Sequence, residues 1–151
     1  MNLKRELTKL AKLAQNAARL AVNISGDTKN KILREMAQSL IKNKGAILKA
    51  NALDIRKARA KNISCAFIDR LTLNDARIKD MAGSLLEVAK LKDPIGEELK
   101  SWRVPSGLKI QKVRVPIGVI AIIYESRPNV TSDCIGLCFC LLYTSPSPRD
   151  S

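Results

Sequence analysis

An uninterrupted apolar run that meets a polar cluster limits what the last third of this chain can form. Ile117 to Ile123 is almost entirely apolar and rich in β-branched residues. A strand that is apolar on both faces is typical of a parallel sheet covered by helices. The polar residues 124–129 then stand at the carboxyl end of that strand, where α/β folds bind ligands. The sequence therefore predicts a buried strand, a functional loop, and a covering helix that begins near Val130.

Helical periodicity dominates residues 1–95. Apolar residues spaced by three and four from Leu3 to Ala21 predict one amphipathic helix. Gly26 is predicted to lie just past its end, and Asp27 or Thr28 to cap the next helix. Further helices are predicted through Ile32–Ile41, Ile47–Ala60, "SCAFIDRL", and a segment capped by Thr72 or Asn74. Asp93 is predicted to end the last of these, because a residue before proline disfavours the helical region.

After Gly96 the spacing of apolar residues changes from the helical period to the period of two that is typical of strands. Polar side chains alternate with Ile110, Val113 and Val115, which predicts a strand with one solvated face. Ser106-Gly107 is predicted to be the turn between this strand and the one before it. The expected fold class is therefore α/β, with helices first and strands afterwards.

Composition excludes several classes of site. The chain has 151 residues, 46% of them hydrophobic and 27% charged, which suits a globular protein. It contains no histidine, so the usual general base and the commonest zinc ligand are missing, and no metal site is expected. No signal peptide and no apolar run of about 18 residues is found, so a cytoplasmic location is expected.

The four cysteines are expected to be reduced thiols. Cys134, Cys138 and Cys140 follow a C-x-x-x-C-x-C spacing, which matches no established zinc pattern. Cys65, Cys134 and Cys138 are therefore interpreted as small core residues.

Positive charge is concentrated in the first 62 residues, which hold 15 Lys/Arg and 4 Asp/Glu. The remaining residues hold 12 and 10, within a net charge of +13. A basic helical module that binds nucleic acid is one interpretation. No aromatic residue in this segment can stack on bases, and its lysines fall between apolar helical positions, which favours solvated helix faces. Those lysines include Lys4, Lys9, Lys12, Lys31, Lys42 and Lys49.

The stretch "VRVPIGVIAIIYESRPNVTSDCIGLCF" resembles the gamma-glutamyl phosphate reductases, or glutamate-5-semialdehyde dehydrogenases, of the aldehyde dehydrogenase superfamily. Upstream "ILKANALDIRKAR", "FIDRLTLNDARIKDMA" and "LKDPIG" also resemble that family, so the likeness runs from about residue 5 to Phe139. It implies that residues 1–139 are the N-terminal part of an NADPH-binding domain. Residues 1–95 would be mainly helical, and 96–139 would hold a β-hairpin and the first strand, loop and helix of a truncated Rossmann-like cofactor domain.

The resemblance also implies an activity. Such enzymes reduce L-glutamyl 5-phosphate with NADPH to glutamate 5-semialdehyde and phosphate in proline biosynthesis, as cytoplasmic homo-oligomers, with glutamate 5-kinase as a partner in the pathway. Their nucleophilic cysteine would lie beyond residue 151, so this fragment is expected to be inactive. Another semialdehyde dehydrogenase remains an alternative, although Pro128 stands where ordinary members carry an aromatic residue.

The loop residues receive roles through the same resemblance. Asn129 is expected to donate its amide to the oxyanion that forms during acyl transfer. Glu125, Ser126, Arg127 and Pro128 are expected to contact the cofactor, and Arg127 to hold an anionic group. The alternative is structural: Asn129 caps the following helix and Arg127 pairs with Glu125.

The last twelve residues, "CLLYTSPSPRDS", depart from the family pattern. They resemble the translation of a sequencing adapter. Residues 140–151 are therefore expected to be a non-native, disordered tail.

Overall fold

The computed structural model describes residues 3–125 and 127–141. Within them the chain forms six helices and one two-stranded antiparallel sheet. In chain order these are α1 (Leu3–Ala21), α2 (Gly26–Lys42), α3 (Lys44–Ala60), α4 (Cys65–Leu71), α5 (Asp75–Val88), β1 (Glu98–Arg103), β2 (Lys109–Val113) and α6 (Pro128–Leu141). The predicted order of helices followed by a hairpin is confirmed. Most of the tail predicted at residues 140–151 lies outside the described residues, although α6 extends through Cys140 and Leu141.

Three helices that are far apart in the sequence form the core. Leu33 of α2 and Leu85 of α5 are almost fully buried, at 0% and 1% exposure. α6 packs across both of these helices. The core cluster comprises Leu33, Ala37, Ala82, Leu85, Ala89 and Cys140, with Met36, Leu40, Val88 and Phe139 packed against it.

α6 contacts α5 closely at a glycine. A Cβ added to Gly136 would lie 2.6 Å from Cδ2 of Leu85, inside the van der Waals limit. Because Leu85 is itself buried in the core, its side chain has little room to move aside. Gly136 therefore sets the distance between α5 and α6.

The start of α2 differs from the prediction. Ser25, in an extended conformation, is the N-cap, and its Oγ accepts a hydrogen bond from the Thr28 N–H at 3.3 Å. The predicted caps, Asp27 and Thr28, lie inside the helix, because Ser25 already supplies the capping oxygen. Gly26 is the first helical residue rather than the end of α1. Its missing side chain lets Asp93 approach, since a Cβ there would lie 3.3 Å from the Asp93 Cβ.

The boundaries of α5 confirm one prediction and correct another. Asn74, one of the two predicted caps, accepts a hydrogen bond from the Arg77 N–H at 2.8 Å. The helix ends at Val88 and not at Asp93. The Asp93 side chain is hydrogen bonded elsewhere, accepting from the Ile95 N–H and from Lys29. Residues 89–93 thus leave the helix and carry Asp93 to the start of α2.

The predicted hairpin is confirmed. β1 and β2 pair with Trp102 opposite Ile110, and the Val104 N–H donates to the Leu108 carbonyl across the turn. Gly107 has φ +84°, a left-handed conformation that favours glycine and so explains this residue in the turn.

The buried strand predicted for residues 117–123 is not formed. These residues make no strand within the described part of the chain, and Ile123 is fully exposed. The physical reason is that a strand needs a neighbour to satisfy its backbone groups, and the only sheet among the described residues is the hairpin.

α1 forms as predicted, but its apolar side is uncovered. None of its residues is buried, and Leu3, Leu7 and Leu10 are more than half exposed. The lysines predicted to lie on solvated faces are exposed, as expected. None of the described helices has the length and apolar character that crossing a membrane would require.

The cysteines do not all occupy the core. Cys65 is exposed at the start of α4, so its assignment as a core residue was wrong, because α4 presents that position to solvent. Cys134 and Cys138 are half-buried and Cys140 is buried. Burial raises the pKa of the Cys138 and Cys140 thiols above the ordinary range, so both are protonated at neutral pH. Neither thiol has the character of an activated nucleophile.

An ion pair ties the start of α2 to the segment after α5. Lys29 is 2% exposed, and its Nζ lies 2.8 Å from Oδ2 of Asp93. Burial acts to raise the pKa of Asp93, but the hydrogen bonds from Lys29 and the Ile95 N–H, with the Lys29 charge, hold that pKa below its ordinary value. The carboxylate is consequently charged in the folded state to a lower pH than in the unfolded state.

Replacing Asp93 by Asn should destabilise the chain and change its response to acid. We expect a loss of about 2 kcal/mol in the free energy of unfolding, below the roughly 3–5 kcal/mol for a fully buried pair, because Asp93 is 26% exposed. The lowered pKa means that the wild-type contribution is complete above about pH 4 and is lost as pH falls through the folded-state pKa. Urea unfolding of both proteins between neutral and acidic pH measures this. Glu35→Gln, at the exposed Lys31–Glu35 pair, is the control and should show a change below ~0.5 kcal/mol.

Gly136→Ala tests the contact between α5 and α6. We expect about 1–3 kcal/mol of destabilisation from overpacking, since the new methyl group meets Leu85. Gly83→Ala is a matched control on α5, because a Cβ there meets nothing within 4 Å. That variant should gain about 0.5–1 kcal/mol from helix propensity. Thermal melts that show both alanine variants stabilised would contradict the close contact.

Candidate functional site

A cleft of about 280 Å³ lies beside the first turns of α6. The end of α4, residues 72–73 and one side of α5 form one wall, and residues 127–133 form the other. Its charged lining residues are Asp69, Arg70, Arg77, Asp80, Arg127 and Asp133. The cleft thus presents three cations and three anions within a space that holds a small molecule.

A buried asparagine holds the wall formed by the α4–α5 connection. Asn51 of α3 is 6% exposed. Its Nδ2 donates to the Leu71 carbonyl at 2.8 Å, and its Oδ1 accepts from the Leu73 N–H at 2.8 Å. Both halves of the amide are used, so the loop is fixed in place by one side chain.

Arg77 stabilises the same loop. It donates to the carbonyl of Thr72 at 2.6 Å and to the carbonyl of Asp69, and it pairs with the Asp69 carboxylate at 3.1 Å. Arg70 and Arg127, by contrast, have no hydrogen-bond or ion-pair partner within the described part of the chain. These two guanidinium groups are the cations that the cleft can offer to a ligand.

The second wall begins with a proline that fits its position. Pro128 is the first residue of α6, where its missing N–H would be unpaired in any case. The Arg127 carbonyl accepts from the Val130 N–H at 3.0 Å. Asn129 is the second helical residue, not the residue before the helix, so it does not occupy the N-cap position. The structure gives no ion pair between Arg127 and Glu125, both of which are described.

Asn129 and Asp133 lie one turn apart on the same side of α6. The Asn129 Nδ2 donates to Oδ2 of Asp133 over a long 3.4 Å. The other oxygen of this carboxylate, Oδ1, is buried and has no hydrogen-bond partner. Tyr124 and Thr131 share a hydrogen bond of 2.7 Å between their hydroxyl groups, which ties the end of the loop to α6. The amide of Asn129 is therefore oriented along the cleft by a neighbouring carboxylate.

The structure brings together three of the five residues predicted for the site. Arg127, Pro128 and Asn129 line the cleft. Glu125 is exposed and is not among the lining residues. Ser126 lies outside the described residues.

Sequence reasoning missed the other side chains of the cleft. Asp133 could have been predicted from the sequence, because a residue four places after Asn129 lies on the same helix face. Arg70, which lines the cleft, and Asn51, which holds the α4–α5 connection, could not be predicted, since both roles depend on contacts between distant segments. Among the described residues, no three His, Cys, Asp or Glu side chains are grouped as metal ligands.

Comparison with known proteins identifies relatives of one kind. The chain is 54% identical over 128 residues to a gamma-glutamyl phosphate reductase of Clostridium kluyveri, covering 85% of this chain and 31% of the relative. It is 50% identical over 125 residues to the one of Nautilia profundicola, covering 83% and 30%. The crystal structure of gamma-glutamyl phosphate reductase from Thermotoga maritima matches with a TM-score of 0.87 at 42% identity, covering 92% of this chain and 34% of that one. No protein-family model matches the chain.

These matches confirm the predicted resemblance and the predicted fold. The chain spans about a third of the length of the curated relatives that it matches. Helices followed by a two-stranded antiparallel sheet are the shared architecture of this segment.

Asn51→Asp should weaken the hydrogen bonds that hold the α4–α5 connection, which forms one wall of the cleft. A carboxylate keeps the acceptor for the Leu73 N–H but cannot donate to the Leu71 carbonyl, and its charge is buried. We expect a loss of about 1–3 kcal/mol in the free energy of unfolding, the usual effect of an unsatisfied buried group. Asn16→Asp, on the exposed side of α1, should change it by less than ~0.5 kcal/mol. Equal denaturant midpoints for the two variants would count against the role of Asn51.

Proposed function

We propose that this chain, which is related over most of its length to gamma-glutamyl phosphate reductases, forms part of an enzyme with that activity. The enzyme reduces L-glutamyl 5-phosphate with NADPH to glutamate 5-semialdehyde and phosphate. The observation that carries the proposal is the position of Asn129, in the first turn of α6 and on the wall of a cleft that bears arginines.

Asn129 supplies the donor that acyl transfer requires. When a nucleophile attacks an acyl phosphate, the carbonyl oxygen gains negative charge. An amide N–H placed before the reaction stabilises that charge as it develops. A neutral amide also works over a broad pH range, because it needs no proton exchange to donate.

Arg127 and Glu125 are proposed to serve the cofactor. The Arg127 guanidinium is exposed and has no partner within the described residues, so it is available to bind a phosphate group. The Glu125 carboxylate is exposed as well and can accept from ribose hydroxyls. Ser126 and Pro128 complete the proposed cofactor loop. NADPH, when bound, supplies the hydride that reduces the acyl group.

The substrate and assembly of the proposed enzyme follow from the same relation. An acyl phosphate is made by phosphorylating a carboxylate, so glutamate 5-kinase is the proposed source of the substrate. A homo-oligomer is proposed for the enzyme.

A segment exchange tests the activity. Residues 3–139 would replace the matching segment of the Clostridium kluyveri relative, which is 54% identical to them over 128 residues. The chimera should oxidise glutamate 5-semialdehyde with NADP and phosphate, at a rate within about tenfold of the unaltered relative. A chimera that melts like the relative yet has no such activity would refute the proposal.

Variants of Asn129 in the chimera test the oxyanion role. Asn129→Ala should lower kcat by about 10²–10³, the effect of losing one such donor. Asn129→Asp should be at least as damaging, because a carboxylate cannot donate and opposes the developing charge. KM should change less, since this interaction strengthens mainly in the transition state.

A purely structural role for Asn129 predicts a different order of activity for the two variants. If Asn129 acts only in the first turn of α6, Asp should serve nearly as well as Asn, because a carboxylate is favoured there, and Asn129→Ala should leave kcat near wild type. Steady-state kinetics and melting curves on the two variants separate these cases. An active, well-folded Asn129→Asp enzyme would end the oxyanion assignment.

A further inference from the structure

The cleft is lined by a carboxylate, Asp133, whose hydrogen bonds the described part of the chain does not complete. Oδ1 of Asp133 is buried without a hydrogen-bond partner, while Oδ2 receives only the long bond from Asn129. An unpaired buried acceptor costs stability, and more so when it carries charge. Because Oδ1 is enclosed by the protein, a donor from a ligand would act on Oδ2, whose bond from Asn129 is long.

Helix electrostatics do not explain Asp133. A carboxylate favours the first turn of a helix, and the benefit falls off beyond it. Asp133 is the sixth residue of α6 and so lies past that turn. None of the hydrogen bonds or ion pairs among the described residues joins it to Arg70, Arg77 or Arg127, although all four line the cleft. The carboxylate is thus held beside cations without neutralising them.

Arg70, on the opposite wall of the cleft from Asp133, offers the complementary charge. It comes from α4, is exposed, and has no partner in the described part of the chain. The neighbouring Arg77 is occupied by the carbonyls of Asp69 and Thr72. Arg70 is therefore the lining cation from this wall that can bind an anion.

We propose that Asp133 and Arg70 form a subsite for the α-amino acid end of the substrate, with the α-ammonium on Asp133 and the α-carboxylate on Arg70. The α-ammonium donates to Oδ2 of Asp133, which receives only the long hydrogen bond from Asn129. The Arg70 guanidinium can donate two parallel hydrogen bonds to the two oxygens of the α-carboxylate. The inference rests on the proposed function, because it concerns which end of an acyl phosphate the cleft recognises.

The position of Asn129 agrees with this assignment. Its Nδ2 lies 3.4 Å from Oδ2 of Asp133. In an extended glutamyl chain, three bonds along the side chain separate the reacting carbon from the α-carbon that bears the ammonium. Asn129 and Asp133 both line the cleft one turn apart on α6, so one bound substrate can contact both side chains. Because Asn129 and Asp133 both belong to α6, this helix contributes both to acyl transfer and to the selection of an amino acid substrate.

Truncated aldehydes test the subsite in the chimera. Glutamate 5-semialdehyde is compared with 5-oxopentanoate, which lacks the ammonium, and with 4-aminobutanal, which lacks the carboxylate. The wild-type protein should prefer the complete substrate by at least about tenfold in kcat/KM, as expected when a charged group loses its partner. Asp133→Asn should lower kcat/KM roughly 10- to 100-fold for glutamate 5-semialdehyde, yet change it less than ~3-fold for 5-oxopentanoate. Arg70→Gln should show the corresponding selective loss, with 4-aminobutanal spared.

Asp80→Asn is the matched control, because Asp80 lines the same cleft and the substitution removes the same charge. It should affect the three aldehydes equally. The subsite would be overturned by an active wild-type chimera that does not discriminate among the aldehydes. It would also be overturned by an Asp133→Asn variant that loses activity equally on all of them. A chimera inactive on every aldehyde refutes the proposed function instead, so the two failures are distinct.

Discussion

The close packing of α6 on α5 is the constraint on which the candidate site depends. Gly136 lets the two helices approach until a single added methyl group would overlap Leu85. Asn129 and Asp133 stand on the preceding two turns of the same helix, so their positions follow from this contact. The opposite wall is held independently, by the amide of Asn51 and the guanidinium of Arg77. Apolar contact therefore sets one side of the cleft, and buried hydrogen bonds set the other.

Some polar groups buried in the described part of the chain have all their hydrogen bonds, whereas one oxygen of Asp133 has none. Lys29 is paired with Asp93, and Asn51 uses both ends of its amide. These groups tie together segments that share no secondary structure. Asp133 keeps one oxygen unpaired in the same molecule. The two kinds of group also differ in place, because Asp133 lines the cleft, whereas Lys29, Asp93 and Asn51 do not.

Local patterns in the sequence were sufficient for most helices and for the hairpin. Asn74 and the Ser106-Gly107 turn act through neighbours within a few residues, so they could be read directly. The strand expected at residues 117–123 could not form, because pairing depends on segments that the pattern does not contain. Ser25 was overlooked as a cap because two plausible residues followed it. Asn129 was located through family resemblance, whereas Asn51 and Arg70 required distant segments to be placed side by side.

The wide sequence separation of the three core helices affects the order in which the molecule can assemble. Leu33, Leu85 and Gly136 are about fifty residues apart from one to the next, so each contact between these helices closes a long loop. α2 packs more extensively on α5 than on α6, which makes that pair the natural scaffold. We therefore expect α6 to dock onto an existing surface and to be the first of the three to detach in a local opening. Because Asn129 and Asp133 belong to α6, each such opening removes one wall of the cleft while the other helices stay folded.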